Sequence, residues 1–168
     1  MLNKVIRDLR RGDNYYRIAA DVKSEILGEY YFIFNEQRIS RGQDQALITT
    51  TDENGIPLNK TYIDVVEQKL FYFPISIGQM GLSIFHTYLN SSSKIDLERF
   101  LKFADWFVDN AEIDDRLGAV WITDVDLPAY RRKGPWQSAF SQSRALSILL
   151  RAYQHTEKEE YKHLAEQA

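Results

Sequence analysis

The middle of this chain carries one pattern that leaves little freedom: Leu97, Phe100, Leu101, Ala104, Phe107 and Val108 stand at i, i+3, i+4, i+7, i+10 and i+11. That spacing lines one side of a 3.6-residue helix and cannot line one side of a strand. Phe103 and Trp106 widen the stripe. Asp96 is the expected N-cap and Asn110 the expected stop.

The same period returns on both sides. Gly78-Gln79-Met80-Gly81 opens a segment, apolar all round, that is expected to be helical to Leu89. Trp136 to Tyr153 carries Leu146, Leu149, Leu150 and Tyr153 on one face, with Pro135 suited to its first turn. Thr156 is expected to cap a last helix, in which Tyr161, Leu164, Ala165 and Ala168 repeat the pattern. The spacing thus predicts helices over residues 78–89, 97–109, 137–154 and 157–167, with Trp106, Phe107, Leu146 and Leu149 buried. Leu117 to Ile122 is expected to make a short strand, and Asp124 to Gly134 a loop.

Residues 1–69 read differently. Lys4 to Arg11 and Ala19 to Leu27 are expected to make short helices, and Tyr30 to Phe34 and Ala46 to Thr51 strands. Asn54-Gly55 is a strong turn signal, and Pro57 and Asn59 suggest loop. No internal repeat stands out. The expected fold is mainly α: helical hairpins over residues 70–168, preceded by a small mixed β and loop segment over residues 1–69. Periodicity alone does not separate a closed bundle from hairpins stacked around a ring.

Composition removes several functions. A net charge of −3 argues against a general nucleic-acid binder. With no cysteine there is neither disulfide nor thiolate chemistry. The three histidines, His86, His155 and His163, include no pair at the i, i+4 spacing of a zinc helix, so no metal is expected. No Gly-x-Ser-x-Gly elbow marks a hydrolase, and no Gly-rich phosphate loop is present, so no cofactor is expected. Met1 to Arg11 is too polar for a leader and no apolar run is long enough for a membrane span, which makes the cytoplasm the default address.

Two groups of residues suggest ligand chemistry. Tyr130-Arg131-Arg132-Lys133-Gly134-Pro135-Trp136 sets cations before a helix N-terminus, where free N–H groups and the helix dipole favour an anion. Tyr130 and Trp136 offer flat rings for a sugar face. The alternative is a solvated basic loop with Trp136 as a core anchor. Gln79, Ser138, Ser141 and Gln142 are polar residues on apolar helices. They suit sugar hydroxyls, or simply helix-to-helix ties.

The stretch Gly134-Pro135-Trp136-Gln137-Ser138-Ala139-Phe140-Ser141-Gln142, continued by Ala145-Leu146-Ser147-Ile148-Leu149-Leu150-Arg151-Ala152-Tyr153, resembles the signature of the glucuronyl 5-epimerase C-terminal domain. Phe73 to Gly78 with Gly81-Leu82-Ser83, and Ala104 to Asn110, agree in order, so the resemblance spans about residues 70–168. It implies an α/α toroid with a polymer cleft at its mouth. It also implies inversion at carbon 5 of D-glucuronate in an acidic polysaccharide such as heparosan, with that polysaccharide as the partner. The Glu-Tyr pair, Arg and Tyr credited with proton transfer in the family lie C-terminal to the matched block, so no catalytic residue is carried over. Gln79, Trp136, Ser138 and Gln142 are the cleft-lining candidates, and Tyr130, Arg131 and Arg132 join them from the loop. The family's Gly-Gln after the matched Gln is replaced by Ser143-Arg144, either changing the substrate or lying on the outer face.

A non-catalytic polysaccharide-binding or scaffold module and a toroid uronate lyase or hydrolase are the competing readings. The last helix is still amphipathic at Ala168, so the domain is expected to continue. The chain alone is expected not to epimerise and to self-associate through the stripe of residues 161–168.

Overall fold

The computed structural model describes residues 16–18, 23–24, 26–30, 32–34, 36–40, 48–61 and 64–168. Two small sheets lead the described chain. Strands β1 (Tyr16–Ile18) and β2 (Phe32–Phe34) pair antiparallel, followed by the short helix α1 (Glu36–Ser40). Strands β3 (Ile48–Thr51), β4 (Pro57–Lys60) and β5 (Leu70–Tyr72) form an antiparallel sheet in the order β3-β4-β5. The sheet therefore straddles residue 70.

The β3–β4 turn forms as Asn54-Gly55 suggests. Asp52 Oδ1 accepts from the N–H groups of Asn54 (2.9 Å) and Ile56 (2.8 Å), and Gly55 takes φ +84°. Pro57 and Asn59, expected in a loop, are in strand β4. Pro57 sits at its first position, where a missing N–H is tolerated. Asn59 is buried and donates to Ser76 Oγ at 3.1 Å. Residues 23, 24, 26 and 27 are not helical, which overturns the helix expected over Ala19 to Leu27 where it is described. The helix expected over Lys4 to Arg11 lies outside the described residues.

Four long helices follow: α2 (Pro74–Ser91), α3 (Lys94–Asp109), α4 (Ala139–Thr156) and α5 (Glu159–Gln167). All four were expected, but their starts differ. Helix α2 begins four residues early because Pro74 fits the first turn. Ser93, not Asp96, takes the N-cap position of α3, while Asp96 accepts from Ser91 Oγ and from Arg99. Lys158, not Thr156, precedes α5. Pro135 is not in a helix: it follows a cis bond to Gly134, and Ser138 caps α4.

Between α3 and α4 run the hairpin β6 (Glu112–Asp114) and β7 (Gly118–Val120), then β8 (Ile122–Thr123), a 3-10 turn (Pro128–Tyr130) and β9 (Trp136–Gln137), which pairs with β8. β structure is thus not confined to the N-terminal third.

The helices form two hairpins, each closed by two residues. Their linkers match. Ser92 and Glu157 both take the left-handed conformation, at φ 53° and 56°, and donate their N–H to Tyr88 O and Tyr153 O at 2.7 Å. Ser93 and Lys158 then open the next helix from extended backbone. This is a structural repeat that the sequence hides. The two leading helices, 18 residues each, share only Ser76 with Ser141 and Tyr88 with Tyr153 at equivalent positions.

The leading helices of the hairpins lie side by side and run parallel. Contacts climb both together: Phe73 with Trp136, Gly78 with Arg144, Gly81 with Ile148, Phe85 with Arg151, Tyr88 with His155. In an up-and-down bundle these would be diagonal helices; here they touch at two glycines. A Cβ on Gly81 would meet Ile148 Cδ1 at 2.8 Å and Phe103 Cβ at 3.0 Å, so α2, α3 and α4 converge there. The core fills the angle between them with Ile77, Leu82, Phe85, Phe100, Phe103, Phe107, Ile148 and Leu149. Trp106 and Leu146, expected buried, are half-buried at its margin. Trp106 faces Tyr72 across 5.7 Å.

Helix α5 closes over this core. Tyr161, Leu164 and Ala165 are buried, and Tyr161 donates its hydroxyl to Asp105 of α3. The stripe of residues 161–168, expected to be bare, is covered by the chain itself. Among the described residues no helix is long and apolar enough to cross a membrane.

Candidate functional site

Because α2 and α4 are parallel, their N-termini open at one end of the molecule. Strands β5 and β9 lead into that end, and the rings of Phe73 and Trp136 meet there edge to face at 6.3 Å. Two helix dipoles point the same way, and both favour negative charge at this end.

Each residue expected to line a cleft has a definite place. Trp136 is half-buried, and its indole N–H donates to Val125 O at 2.7 Å, which binds β9 to the preceding loop. Ser138 is the N-cap of α4: its Oγ accepts from Phe140 N at 3.1 Å. Gln142 reaches back across the β7–β8 segment. Its Oε1 accepts from Trp121 N (3.1 Å) and its Nε2 donates to Ala119 O (2.8 Å). Both ends of that amide are thus engaged in holding Trp121, which is buried and donates to Phe107 O at 2.7 Å. Ser138 and Gln142 therefore hold the local backbone at the start of α4. Gln79 is half-buried on the second turn of α2. Ser141 is fully buried, and its Oγ has no partner among the described residues.

The basic loop is a tight hairpin. Leu127 and Arg132 exchange backbone hydrogen bonds of 2.8 and 3.1 Å around the 3-10 turn, and Arg131 takes φ 52°. Tyr130, 82% exposed, stands at its tip, and Arg131, Arg132 and Lys133 are exposed. Asp126 Oδ1 accepts from Gly134 N at 3.0 Å and anchors the return of the loop. The cations do not abut the helix N-terminus as expected, because strand β9 stands between them and Ser138.

The sequence reading missed a second cluster, further along the same pair of helices. Residues Leu27 to Tyr30 lie across α2 and α4 as an extended strap. Gln154 pairs with Leu27 through both amide ends, at 2.8 and 3.2 Å. Arg151 donates to Gly28 O (3.0 Å), Glu29 O (3.3 Å) and Ser147 O (2.9 Å). His86 Nε2 accepts from Tyr30 N at 2.9 Å, which makes that nitrogen the unprotonated one. Arg144 donates to the Tyr30 hydroxyl, and its guanidinium lies 4.8 Å from the centre of the Tyr30 ring. Arg144 and Arg151 are both 6% exposed, so Arg144 is not on an outer face. Burial pulls the Arg151 guanidinium down to about 10. The signal available in the sequence was the seven-residue spacing of Arg144 and Arg151, which puts both on one side of α4.

Among the described residues no group of three or more His, Asp or Glu side chains is placed to hold a metal ion.

Residues 115–168 of the chain match the family model of the D-glucuronyl C5-epimerase C-terminus. That match starts just after β6 and takes in β7 to β9, α4 and α5, within the stretch where the sequence resembles this family. No curated protein and no solved structure matches the chain.

Proposed function

We propose that the chain is the helical, polymer-holding part of a glucuronyl 5-epimerase-like protein, and that an acidic polysaccharide crosses the end where α2 and α4 begin. The observation that carries this reading is the family match over residues 115–168. It falls on the unit that supplies α4, its Ser138 cap and the Gln142 clamp. The geometry supports it in three ways. Two parallel helix dipoles favour an anion at that end. Tyr130, Arg131 and Arg132 stand exposed beside it in sequence, on a loop fixed by Asp126. Half-buried Trp136 and Gln79 border the same end. Parallel leading helices in stacked hairpins are also the arrangement from which an α/α toroid is built, and we take the complete domain to be one.

The reaction proposed for the parent protein is inversion at carbon 5 of D-glucuronate. The proton there is only weakly acidic. Its removal needs a base, a group to hold the enolate charge, and an acid on the opposite ring face. None of these roles is assigned here. His86 Nε2 already accepts from Tyr30 N, and Tyr130 is a solvated phenol. The share proposed for this chain is binding and positioning.

Calorimetric titration with a glucuronate-containing oligosaccharide, against a neutral one of equal length, tests the binding. Preference for the acidic chain supports the reading; equal or absent binding to both removes it. Proton exchange at carbon 5 of heparosan in deuterated water tests the chemistry. No incorporation is expected from this chain, and clear incorporation would place proton transfer on its own residues.

A further inference from the structure

We infer that the strap Leu27–Tyr30 covers a carboxylate-binding site on α4, with Arg151 at its centre, and that an acidic sugar displaces the strap to reach it. This rests on the proposed function for the identity of the ligand.

The strap is held through its main chain. Gln154 reads the N–H and C=O of Leu27, Arg151 reads the carbonyls of Gly28 and Glu29, and His86 reads the N–H of Tyr30. Through these bonds the groove reads main-chain groups of the strap. It offers a fixed series of donors and acceptors: an amide, a guanidinium and an imidazole acceptor. A sugar acid presents the complementary series, with carboxylate oxygens for Arg151 and hydroxyls for Gln154 and His86 Nε2.

Arg151 supplies the driving force. It is 6% exposed, and its hydrogen bonds among the described residues all go to neutral carbonyl oxygens, those of Gly28, Glu29 and Ser147. Its remaining neighbours are ring faces, Tyr30 at 5.6 Å and Phe85 at 5.8 Å. No carboxylate meets it among the described residues. A buried guanidinium is costly unless an anion faces it, and a planar carboxylate accepts two parallel N–H bonds that no single carbonyl can take. The Gly28 and Glu29 carbonyls occupy the positions such a carboxylate would fill. Displacing them trades two neutral acceptors for one charged one.

The groove also joins the proposed binding end. Arg144 touches Gly78, one residue from Gln79, and reaches Tyr30 of the strap. A ligand crossing the helix N-termini runs along α4 toward Arg144 and then Arg151.

Two measurements test this. The first is hydrogen exchange of the Leu27 and Tyr30 amides in the unaltered chain, with and without a saturating glucuronate-containing oligosaccharide. At least roughly tenfold faster exchange at both amides is expected, with the Ile148 amide in α4 unchanged; unchanged or slower exchange at the two strap amides overturns the inference. The second is a lock. The chain has no cysteine, so Leu27→Cys with Gln154→Cys gives a single possible disulfide. The oxidised form should bind the oligosaccharide about tenfold more weakly than the reduced form. Equal binding by both forms sinks the strap and leaves the proposed function standing. Absence of binding by the unaltered chain and by both forms removes the parent reading and this one together.

Discussion

A Cβ built on Gly78 would lie 2.3 Å from Cβ of Arg144. That distance records how closely α2 and α4 run, and it makes one residue answerable for their alignment. Gly78→Ala should therefore destabilise the fold although alanine is the better helix former. The propensity gain is about 1 kcal/mol, while overpacking against the buried stem of the Arg144 side chain costs about 1–3 kcal/mol and here outweighs it. The denaturation midpoint in urea should fall with an unchanged slope. A midpoint equal to or above that of the parent would mean the helices can part without penalty.

Gln142 should behave as a structural residue. Gln142→Leu strands the Trp121 N–H and the Ala119 C=O, both in a segment whose neighbouring residues are buried. Each unsatisfied group costs about 1–3 kcal/mol, so a loss of about 2–6 kcal/mol is expected. Thermal unfolding of the variant, with no ligand present, reads this directly.

Gly118 is constrained twice. It holds φ +76°, and a Cβ there would come within 1.8 Å of Gln167 O at the end of α5. Gly118→Ala should cost about 2 kcal/mol or more, from left-handed strain and displacement of the helix end. Loss of the Tyr161 hydroxyl bond to Asp105 would accompany it if α5 detaches, visible as a fall toward the ordinary tyrosine range of a phenol that burial and Asp105 hold high.

Stability should decline in mild acid through His155. Its ring packs against Phe85 and Tyr88, its Nε2 is buried without a partner among the described residues, and burial holds its pKa below the ordinary 6.5. The unfolded chain therefore takes up the proton first. The contribution is complete above pH 6.5 and is lost as pH falls through the lowered folded value. Denaturant midpoints measured from pH 7.5 to 5 should fall less in His155→Gln than in the parent; parallel curves would clear His155 of the effect.

Arg131→Gln with Arg132→Gln should leave the melting temperature unchanged, since both side chains are exposed. Affinity for a glucuronate oligosaccharide should drop roughly 2–30-fold, from about 0.2–1 kcal/mol per exposed charge pair. The difference should shrink as salt is raised. An affinity that ignores both substitutions would take the loop out of the site.

Helices α3, α4 and α5 were legible because each buries one stripe, and a stripe has a period; α2, buried nearly all round, was legible from its length of apolar residues. Their first residues were not, since Pro74 and Ser93 begin helices without a side-chain cap bond that a motif would announce. Trp136 and Ser138 were expected inside the helix; Trp136 is in β9 and Ser138 caps α4, and their polar atoms bond Val125 O and Phe140 N. Side-chain type reveals that an amide must be satisfied, and not whether backbone or ligand satisfies it. The strap was illegible for a related reason: its bonds are nearly all main-chain, and main-chain groups look alike at every residue.

The matched linkers Ser92-Ser93 and Glu157-Lys158 turn the two hairpins in the same way, and their leading helices pack side by side. In such an array free energy divides into what each unit holds alone and what it gains from its neighbour. The contacts of Gly78 with Arg144 and of Gly81 with Ile148 belong to the second share, while that of Gly81 with Phe103 stays within the first hairpin. They carry the cooperativity: loosening both together, unlike Gly78→Ala alone, should split one melting transition into two, with each hairpin unfolding on its own account.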